Sequence, residues 1–196
     1  WLHTNKIVAV AGPRAFPPFH YYDGNDTLKG ISADYLFHIL ERLGLNADIR
    51  TGLAWSQVLE KAEKRQIQLI PCIAKTRERE AFLDFTRPYL SFPLVILSRK
   101  DAPFIGGIHD LHGRRLAMIR KNAVNEWLRQ DQIEVTPVYV ETPADIIRAI
   151  SKGQVDAGIE NLAAAGYLIE KYGLSNVKIA APTPYESYTL HMAVPK

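Results

Sequence analysis

The fold is decided by the stretch Ile67–Arg79, which reads IQLIPCIAKTRER in this sequence of 196 residues. Its first part, 67–73, is a short apolar run that predicts a buried strand. Its last part, 76–79, would form the first turn of a helix that directly follows the strand. A strand that leads into a helix is the repeating unit of α/β folds, and we therefore expect this fold class.

The same alternation of strand and helix extends toward the N-terminus. The helix 31–43 would place Tyr35, Leu36, Ile39 and Leu40 on one face, and Gly44 would end it. The segment 12–26 is rich in Pro, Gly, Asn and Asp and is predicted to be a loop. The other predicted elements are the strands 6–11 and 47–51 and the helix 55–65.

After Ile73 the alternation stops and then restarts. The run 93–98 predicts a long apolar strand. It is followed by strands at 115–119, 135–140, 155–159 and 177–180 and by helices at 122–130, from Thr142, and at 161–172. The last strand, 188–194, has no partner that the second half demands, so it could return to the first half. We therefore expect two α/β lobes, 1–91 with 187–196 and 92–186, joined by two hinge strands.

Composition excludes several classes of protein. The net charge is +3, from 24 basic and 21 acidic residues, and no long basic run suggests nucleic-acid binding. No uninterrupted apolar run approaches the length of a membrane span. The sequence begins with Trp1 rather than Met, so we expect a processed product or a piece of a longer protein.

The sequence predicts neither a metal site nor a cofactor. The single cysteine, Cys72, cannot form an internal disulfide, and its apolar surroundings favour a buried, inert thiol over a nucleophile. The six histidines lack metal-ligand spacing. His109 and His112 are three residues apart but have no acidic or cysteine neighbours, which indicates a loop.

Six short motifs follow one another in an order that resembles the family 3 extracellular solute-binding proteins, over essentially the whole chain. They are Thr76–Arg79 (T-x-x-R), Phe85–Tyr89 (F-S/T-x-P-Y), Pro17–Phe19 (P-P-F), Gly30-Ile31 with Asp34, Asp110–Gly113 (D-L-x-G) and Gly153–Ala157 (G-x-x-D-A). The resemblance implies a two-lobed periplasmic-binding-protein-like fold of type II, in which each lobe is a mostly parallel sheet flanked by helices. It also implies binding without catalysis.

The strongest candidate for ligand contact is Arg79. Free N–H groups in a first helical turn favour an anion, and an arginine can grip a carboxylate through two parallel hydrogen bonds. The resemblance implies that Arg79 is a carboxylate clamp, that Thr76 assists it and that Ala74 also lies at the site. The alternative is a surface ion pair of Arg79 with Glu78 or Glu80.

Two aromatic residues, Phe16 and Trp55, match family positions that wall the ligand. The alternative is that both are ordinary core residues.

Two departures from the family pattern concern the second lobe. Where amino-acid binders carry an Asp that holds the ligand's ammonium group, this sequence has Asn161, with Glu160 beside it. Where many binders have a Gly-rich turn, it has 120–123, in which Asn122 could assist at a helix N-terminus. These departures put an ordinary α-amino acid in doubt and leave other small carboxylates open.

The stretches 161–165 and 181–185, together with Trp1-Leu2, look like the Venus-flytrap domains of bacterial sensor proteins. This resemblance implies an extracytoplasmic domain of a membrane-anchored receptor that signals to a histidine kinase or similar output, with a homodimer formed through the full-length receptor. The alternative is a free periplasmic receptor of an ABC importer. A third reading is a cyclohexadienyl-dehydratase-like enzyme with Glu160, or less favourably Glu186, as its acid; we expect no catalysis.

Overall fold

The structure is a computed structural model that describes residues 6–185 and 188–196. The chain divides into two compact units, unit 1 (Trp1–Leu90 with Thr189–Lys196) and unit 2 (Ser91–Tyr188), so it passes between them twice. Trp1-Leu2 and Glu186 lie outside the described residues. The lobe bounds expected from the sequence, 1–91 with 187–196 and 92–186, stay a prediction.

Unit 1 carries the elements of the first half. In chain order they are β1 (Ile7–Val10), β2 (Ala15–Phe16), β3 (His20–Tyr22), β4 (Leu28–Lys29), α1 (Ile31–Leu43), β5 (Asn46–Ile49), α2 (Trp55–Glu63), β6 (Ile70–Ile73), α3 (Arg77–Glu80) and β7 (Leu83–Phe85). The next strand, β8 (Leu90–Phe92), begins at the last residue of this segment and continues into unit 2. The predicted loop 12–26 is wrong in part, because β2 and β3 form a small antiparallel sheet with β4 there.

The main strands of unit 1 share one carboxyl edge. β1 runs parallel to β5, and a parallel bridge between Val10 and Leu69 aligns β1 with the start of β6. The segments that follow β1, β5 and β6 therefore all begin at the same edge.

The helix α1 packs on unit 1 with a narrower apolar face than the sequence predicts. Leu36 and Leu40 are buried, whereas Tyr35 and Ile39 are exposed.

Unit 2 carries the second half. Its elements are β9 (Leu94–Arg99), a 3₁₀ turn (Ile108–Leu111), β10 (Arg115–Ile119), α4 (Ala123–Gln130), β11 (Thr136–Val140), α5 (Pro143–Ser151), β12 (Ala157–Asn161), α6 (Leu162–Tyr172) and β13 (Val177–Pro182), and β14 (Tyr188–Pro195) returns the chain to unit 1. As predicted, β14 joins the first half, where it pairs with β6 and β7.

The sheet of unit 2 has five strands in the order β11-β10-β12-β9-β13. β10 is parallel to β11 and β12, whereas β9 is antiparallel to both of its neighbours. The carboxyl ends of β10 and β12 therefore lie at one edge, where Asn161 pairs with Leu94 at the start of β9. The helices α4, α5 and α6 all begin at this edge, and each has a side-chain N-cap: Asn122, Thr142 and Asn161.

Candidate functional site

In unit 1 the predicted site residues follow the carboxyl ends of three strands. Phe16 lies in the segment after β1, Trp55 begins the helix after β5, and Ala74, Thr76 and Arg79 follow β6. In α/β sheets, ligands bind outside this edge of the strands. The returning strand β14 also lies beside the end of β6, because Ile73 pairs with His191, two residues after the chain re-enters unit 1 at Thr189.

Arg79 is a buried cation that its surroundings fix in place. The residue is only 5% exposed. Its Nη1 donates a hydrogen bond to the carbonyl oxygen of Ala74 at 2.7 Å. The guanidinium carbon lies 5.3 Å from the ring centroid of Trp55, within the range of a cation–π contact. The carbonyl oxygen and the indole ring therefore orient the guanidinium.

Thr76 holds the short turn that carries Arg79. It is the N-cap of α3, and its Oγ1 accepts a hydrogen bond from the backbone N–H of Arg79 at 3.4 Å. The predicted helical turn is therefore present and extends over four residues. Glu80, one partner in the alternative ion pair, pairs with Lys75 at 2.7 Å.

The two predicted aromatic walls occupy different surroundings. Trp55 is half-buried and packs both against the core cluster around Val58 and against Arg79. Phe16 is buried and lies 5.0 Å from Phe19, ring centroid to ring centroid. The structure thus brings Trp55 to Arg79, whereas the described contact of Phe16 is with another buried ring.

In unit 2, Asn161 is fully buried at the junction of β12 and α6. Its Oδ1 accepts hydrogen bonds from the backbone N–H groups of Ala163 at 2.9 Å and Ala164 at 3.2 Å. Within the described part of the chain its Nδ2 has no hydrogen-bond partner. The residue therefore caps a helix with its oxygen and keeps an unsatisfied donor.

Glu160 is a buried carboxyl next to Asn161. Its Oε1 accepts a hydrogen bond from the backbone N–H of Asn161 at 2.7 Å. Desolvation raises the pKa of Glu160 to about 7, although that hydrogen bond acts in the opposite direction. At neutral pH this carboxyl is therefore partly protonated.

Asn122 begins α4 at the same edge, and its Oδ1 accepts a hydrogen bond from the backbone N–H of Val124 at 3.0 Å. One further buried acid, Glu126, was not predicted from the sequence. It is 5% exposed and accepts a hydrogen bond from the side chain of Gln130 at 3.0 Å. A glutamate four residues into a polar helix looks like a surface residue, so no signal in the sequence distinguishes it.

The cysteine lies in the core of unit 1. Cys72 is buried, and burial raises the pKa of its thiol to about 12. Beside it, Ser32 Oγ lies 2.7 Å from the hydroxyl of Tyr89, which donates to the carbonyl oxygen of Pro71 at 2.7 Å. A thiol with this pKa is protonated at neutral pH, which supports the predicted inert role.

The described residues contain neither a metal-binding cluster nor a membrane-spanning helix. No group of three or more His, Cys, Asp and Glu side chains in 6–185 and 188–196 is arranged to hold a metal ion. No helix in the same residues is long and apolar enough to cross a membrane.

Two α/β units, with candidate binding residues at the carboxyl edges of their strands, define a class of two-lobed ligand-binding protein. The chain belongs to the bacterial extracellular solute-binding proteins, family 3, which match residues 8–131. A second family, described as NMT1/THI5 like, matches residues 74–193. The family predicted from the six motifs is therefore confirmed.

Relatives and solved structures agree with this family. The chain is 26% identical to the virulence sensor protein BvgS of Bordetella bronchiseptica over 92% of its own length, but this covers only 15% of BvgS. It is 24% identical to the L-cystine-binding protein TcyA of Bacillus subtilis, over 96% of the chain and 71% of TcyA. A crystal structure of a histidine kinase sensor domain similar to periplasmic binding proteins matches with a TM-score of 0.91 and 26% identity, over 99% of this chain and 84% of that one.

These matches confirm the predicted two-lobed, periplasmic-binding-protein-like fold. The family and these relatives are solute-binding proteins and sensors, so the chain is a ligand-binding domain of an extracytoplasmic family and not an enzyme.

Proposed function

We propose that this chain is the extracytoplasmic sensor domain of a membrane-anchored receptor. It closes on a small carboxylate-bearing solute, such as an amino acid or an organic acid, and signals to a transmembrane kinase or similar output. Ligand binding would act by favouring the closed state over the open one.

The observation that supports a carboxylate-bearing ligand is the buried guanidinium of Arg79. Ala74 and Trp55 orient it at the carboxyl edge of the unit 1 strands. A carboxylate ligand would meet it through charge-assisted hydrogen bonds, each of which contributes about 1.5–3 kcal/mol. Thr76 and Phe16 are proposed to bind the ligand in unit 1, and Asn122, Glu160 and Asn161 are the ligand-binding residues proposed for unit 2.

The sensor role is supported by the two matches at 26% identity, a virulence sensor and a histidine kinase sensor domain. A free receptor of an importer is the second candidate, because the L-cystine-binding protein is 24% identical over nearly the whole chain. The gene that encodes the full-length protein separates the two. A transmembrane helix and a kinase downstream would support the sensor, whereas a stop codon soon after this domain would support the importer.

The binding site is tested by ligand screening and a substitution. We expect a thermal-shift screen of amino acids and small organic acids to find a carboxylate that stabilises the chain. Arg79→Ala should abolish that stabilisation, because it removes the buried cation. Arg77→Ala is the matched control, since this exposed arginine lies two residues away on the same helix. If affinity in Arg79→Ala stays within about threefold of wild type (~0.7 kcal/mol), Arg79 is not the clamp.

A further inference from the structure

His20 is a buried histidine in β3 that reaches back to the segment after β1. The residue is 0% exposed, and its Nδ1 lies 2.7 Å from the carbonyl oxygen of Pro13. A carbonyl oxygen can only accept a hydrogen bond, so Nδ1 carries the ring proton and donates it to Pro13. The side chain of His20 therefore holds the chain where it leaves the carboxyl edge of β1.

The same imidazole packs directly on the backbone of Gly12. A Cβ atom at this position would lie 2.6 Å from Nε2 and 2.8 Å from Cε1 of His20, which is closer than non-bonded atoms approach. The φ of Gly12 does not lie in the left-handed region, so packing, and not backbone conformation, requires the glycine. Gly12 and His20 thus form a matched pair that fixes the distance between β3 and the segment after β1.

An apolar side chain would be buried at this position at lower cost. The Nε2 of His20 has no hydrogen-bond partner among the residues that the structure describes. Burying a polar atom without a partner lowers stability. The gain that offsets this cost is the bond from Nδ1 to Pro13, and we therefore ask what that bond holds in place.

The bond holds the segment that carries Phe16. In the pairing of β2 with β3, Phe16 lies opposite His20. The backbone N–H of Phe19 donates to the carbonyl oxygen of Phe16 at 2.9 Å. Because β2 has only two residues, strand pairing alone gives it little stability. His20 ties this segment at both of its ends, through its side chain at Pro13 and through its backbone at Phe16.

On the basis of the proposed function, in which Phe16 binds the ligand, we propose that His20 is a positioning residue for ligand binding. It acts through Pro13 and the segment to Phe16, without contact to the ligand. Loss of the bond would let this segment shift, and an apolar contact loses much of its energy over a fraction of an ångström. All the residues concerned belong to unit 1.

The proposal is tested by calorimetric titration of the 196-residue chain with L-alanine, L-glutamate, pyruvate and succinate. His20→Leu has a similar size but cannot donate, so it should weaken the tightest of these interactions by about tenfold (~1.4 kcal/mol). His20→Asn places an amide nitrogen near the position of Nδ1 and can still donate to Pro13, so its affinity should stay within about threefold of wild type (~0.7 kcal/mol). His38→Leu, on the exposed face of α1, is the matched control and should leave affinity unchanged.

A double-mutant cycle separates positioning from a general loss of structure. If His20 acts through Phe16, His20→Leu should weaken binding much less in a Phe16→Ala background than in wild type. A general structural defect would weaken binding equally in both backgrounds. Gly12→Ala reaches the same contact from the other side, since its methyl group displaces the imidazole. It should reproduce the loss of affinity in a chain that keeps His20.

Hydrogen exchange of the ligand-free chain reports on the segment without a probe. His20→Leu should accelerate exchange in peptides that cover residues 12–22, whereas His20→Asn should stay close to wild type. Peptides from unit 2 serve as the internal control. Unchanged exchange over 12–22 in His20→Leu would show that the bond to Pro13 does not hold the segment.

The proposal is overturned if His20→Leu keeps the affinity of wild type, if the cycle with Phe16→Ala is additive, or if His20→Asn loses as much affinity as His20→Leu. Arg79→Ala separates this failure from failure of the carboxylate site. Binding that is lost in Arg79→Ala but unchanged in His20→Leu would reject the role of His20 and support the clamp. If none of the four probes shows binding that depends on Arg79, the proposed function fails for these carboxylates, and the role of His20 in binding them fails with it.

Discussion

The two candidate edges differ in what their polar side chains already do. At the edge of unit 1, Arg79 is a buried cation held by a carbonyl oxygen and an aromatic ring. At the edge of unit 2, Asn122 and Asn161 hold helices with their side-chain oxygens. Unit 1 therefore offers a fixed charge, whereas unit 2 offers groups whose orientation comes from helix capping.

The buried titratable groups of the two units differ as well, and in opposite directions. In unit 1, burial lowers the pKa of His20 to about 4. In unit 2, burial raises the pKa of Glu160 to about 7. Both groups resist ionisation because the charged form loses its hydration. The histidine charges on acidification and the glutamate on alkalinisation, so opposite pH changes should destabilise the two units.

The largest expected effect is on Glu160. Its folded pKa of about 7 lies above the ordinary 4.5. The folded protein therefore binds more protons than the unfolded chain between these values, and stability falls as pH rises through them. By pH 8 the penalty approaches about 3 kcal/mol. Glu160→Gln keeps an oxygen for the backbone N–H of Asn161 and cannot ionise. Its free energy of unfolding should therefore exceed that of wild type by most of this penalty at pH 8, but by less than about 1 kcal/mol at pH 5.

Urea unfolding of wild type and Glu160→Gln at pH 5 and pH 8 measures this difference. Glu141→Gln is the control, because Glu141 is an exposed residue of the same unit. An advantage of Glu160→Gln that is the same at both pH values would show that Glu160 does not titrate near neutrality.

Sequence patterns predicted most of the fold because strands and helices alternate with clear periodicity. The helix 31–43 and the strand 115–119 have the observed bounds. The predicted loop 12–26 hides β2 and β3 because these strands, of two and three residues, are too short to show a period. The burial of α1 also differs, since helix periodicity cannot show how much of an apolar face a sheet will cover.

The candidate site was only partly predictable from the sequence. Family motifs indicated Arg79 and Trp55, and the structure brings these two side chains together. They could not indicate that the oxygen of Asn161 is occupied by capping, because that depends on where β12 ends and α6 begins. Nor could they show the burial of Glu126, which tertiary packing determines.

The next largest effect should be the acid response of unit 1. The Nδ1 of His20 lies 2.7 Å from the carbonyl oxygen of Pro13, and its Nε2 has no hydrogen-bond partner among the described residues. Its folded pKa of about 4 lies below the ordinary 6.5, so the unfolded chain binds more protons in this range and stability falls as pH decreases. Wild type should lose about 2 kcal/mol between pH 7 and pH 5 through this group.

His20→Asn should lower stability at pH 7, because it leaves a void, but should lack this part of the acid response. The measurement is the free energy of unfolding in urea at pH 7 and pH 5, with His38→Asn on the exposed face of α1 as the matched control. Equal acid responses of wild type and His20→Asn would contradict the assignment.

The smallest effect tests whether the unit 2 edge is shaped by capping. Asn122 holds the start of α4 through one bond of 3.0 Å to the N–H of Val124. Asn122→Ala should lower the free energy of unfolding by about 1 kcal/mol, the usual cost of a lost N-cap, whereas Asn122→Asp should lower it by less because Asp also caps. Urea unfolding at pH 7 measures both. If the two variants lose the same stability, the capping bond is not what fixes Asn122, and the contrast with the fixed charge of unit 1 would rest on Asn161 alone.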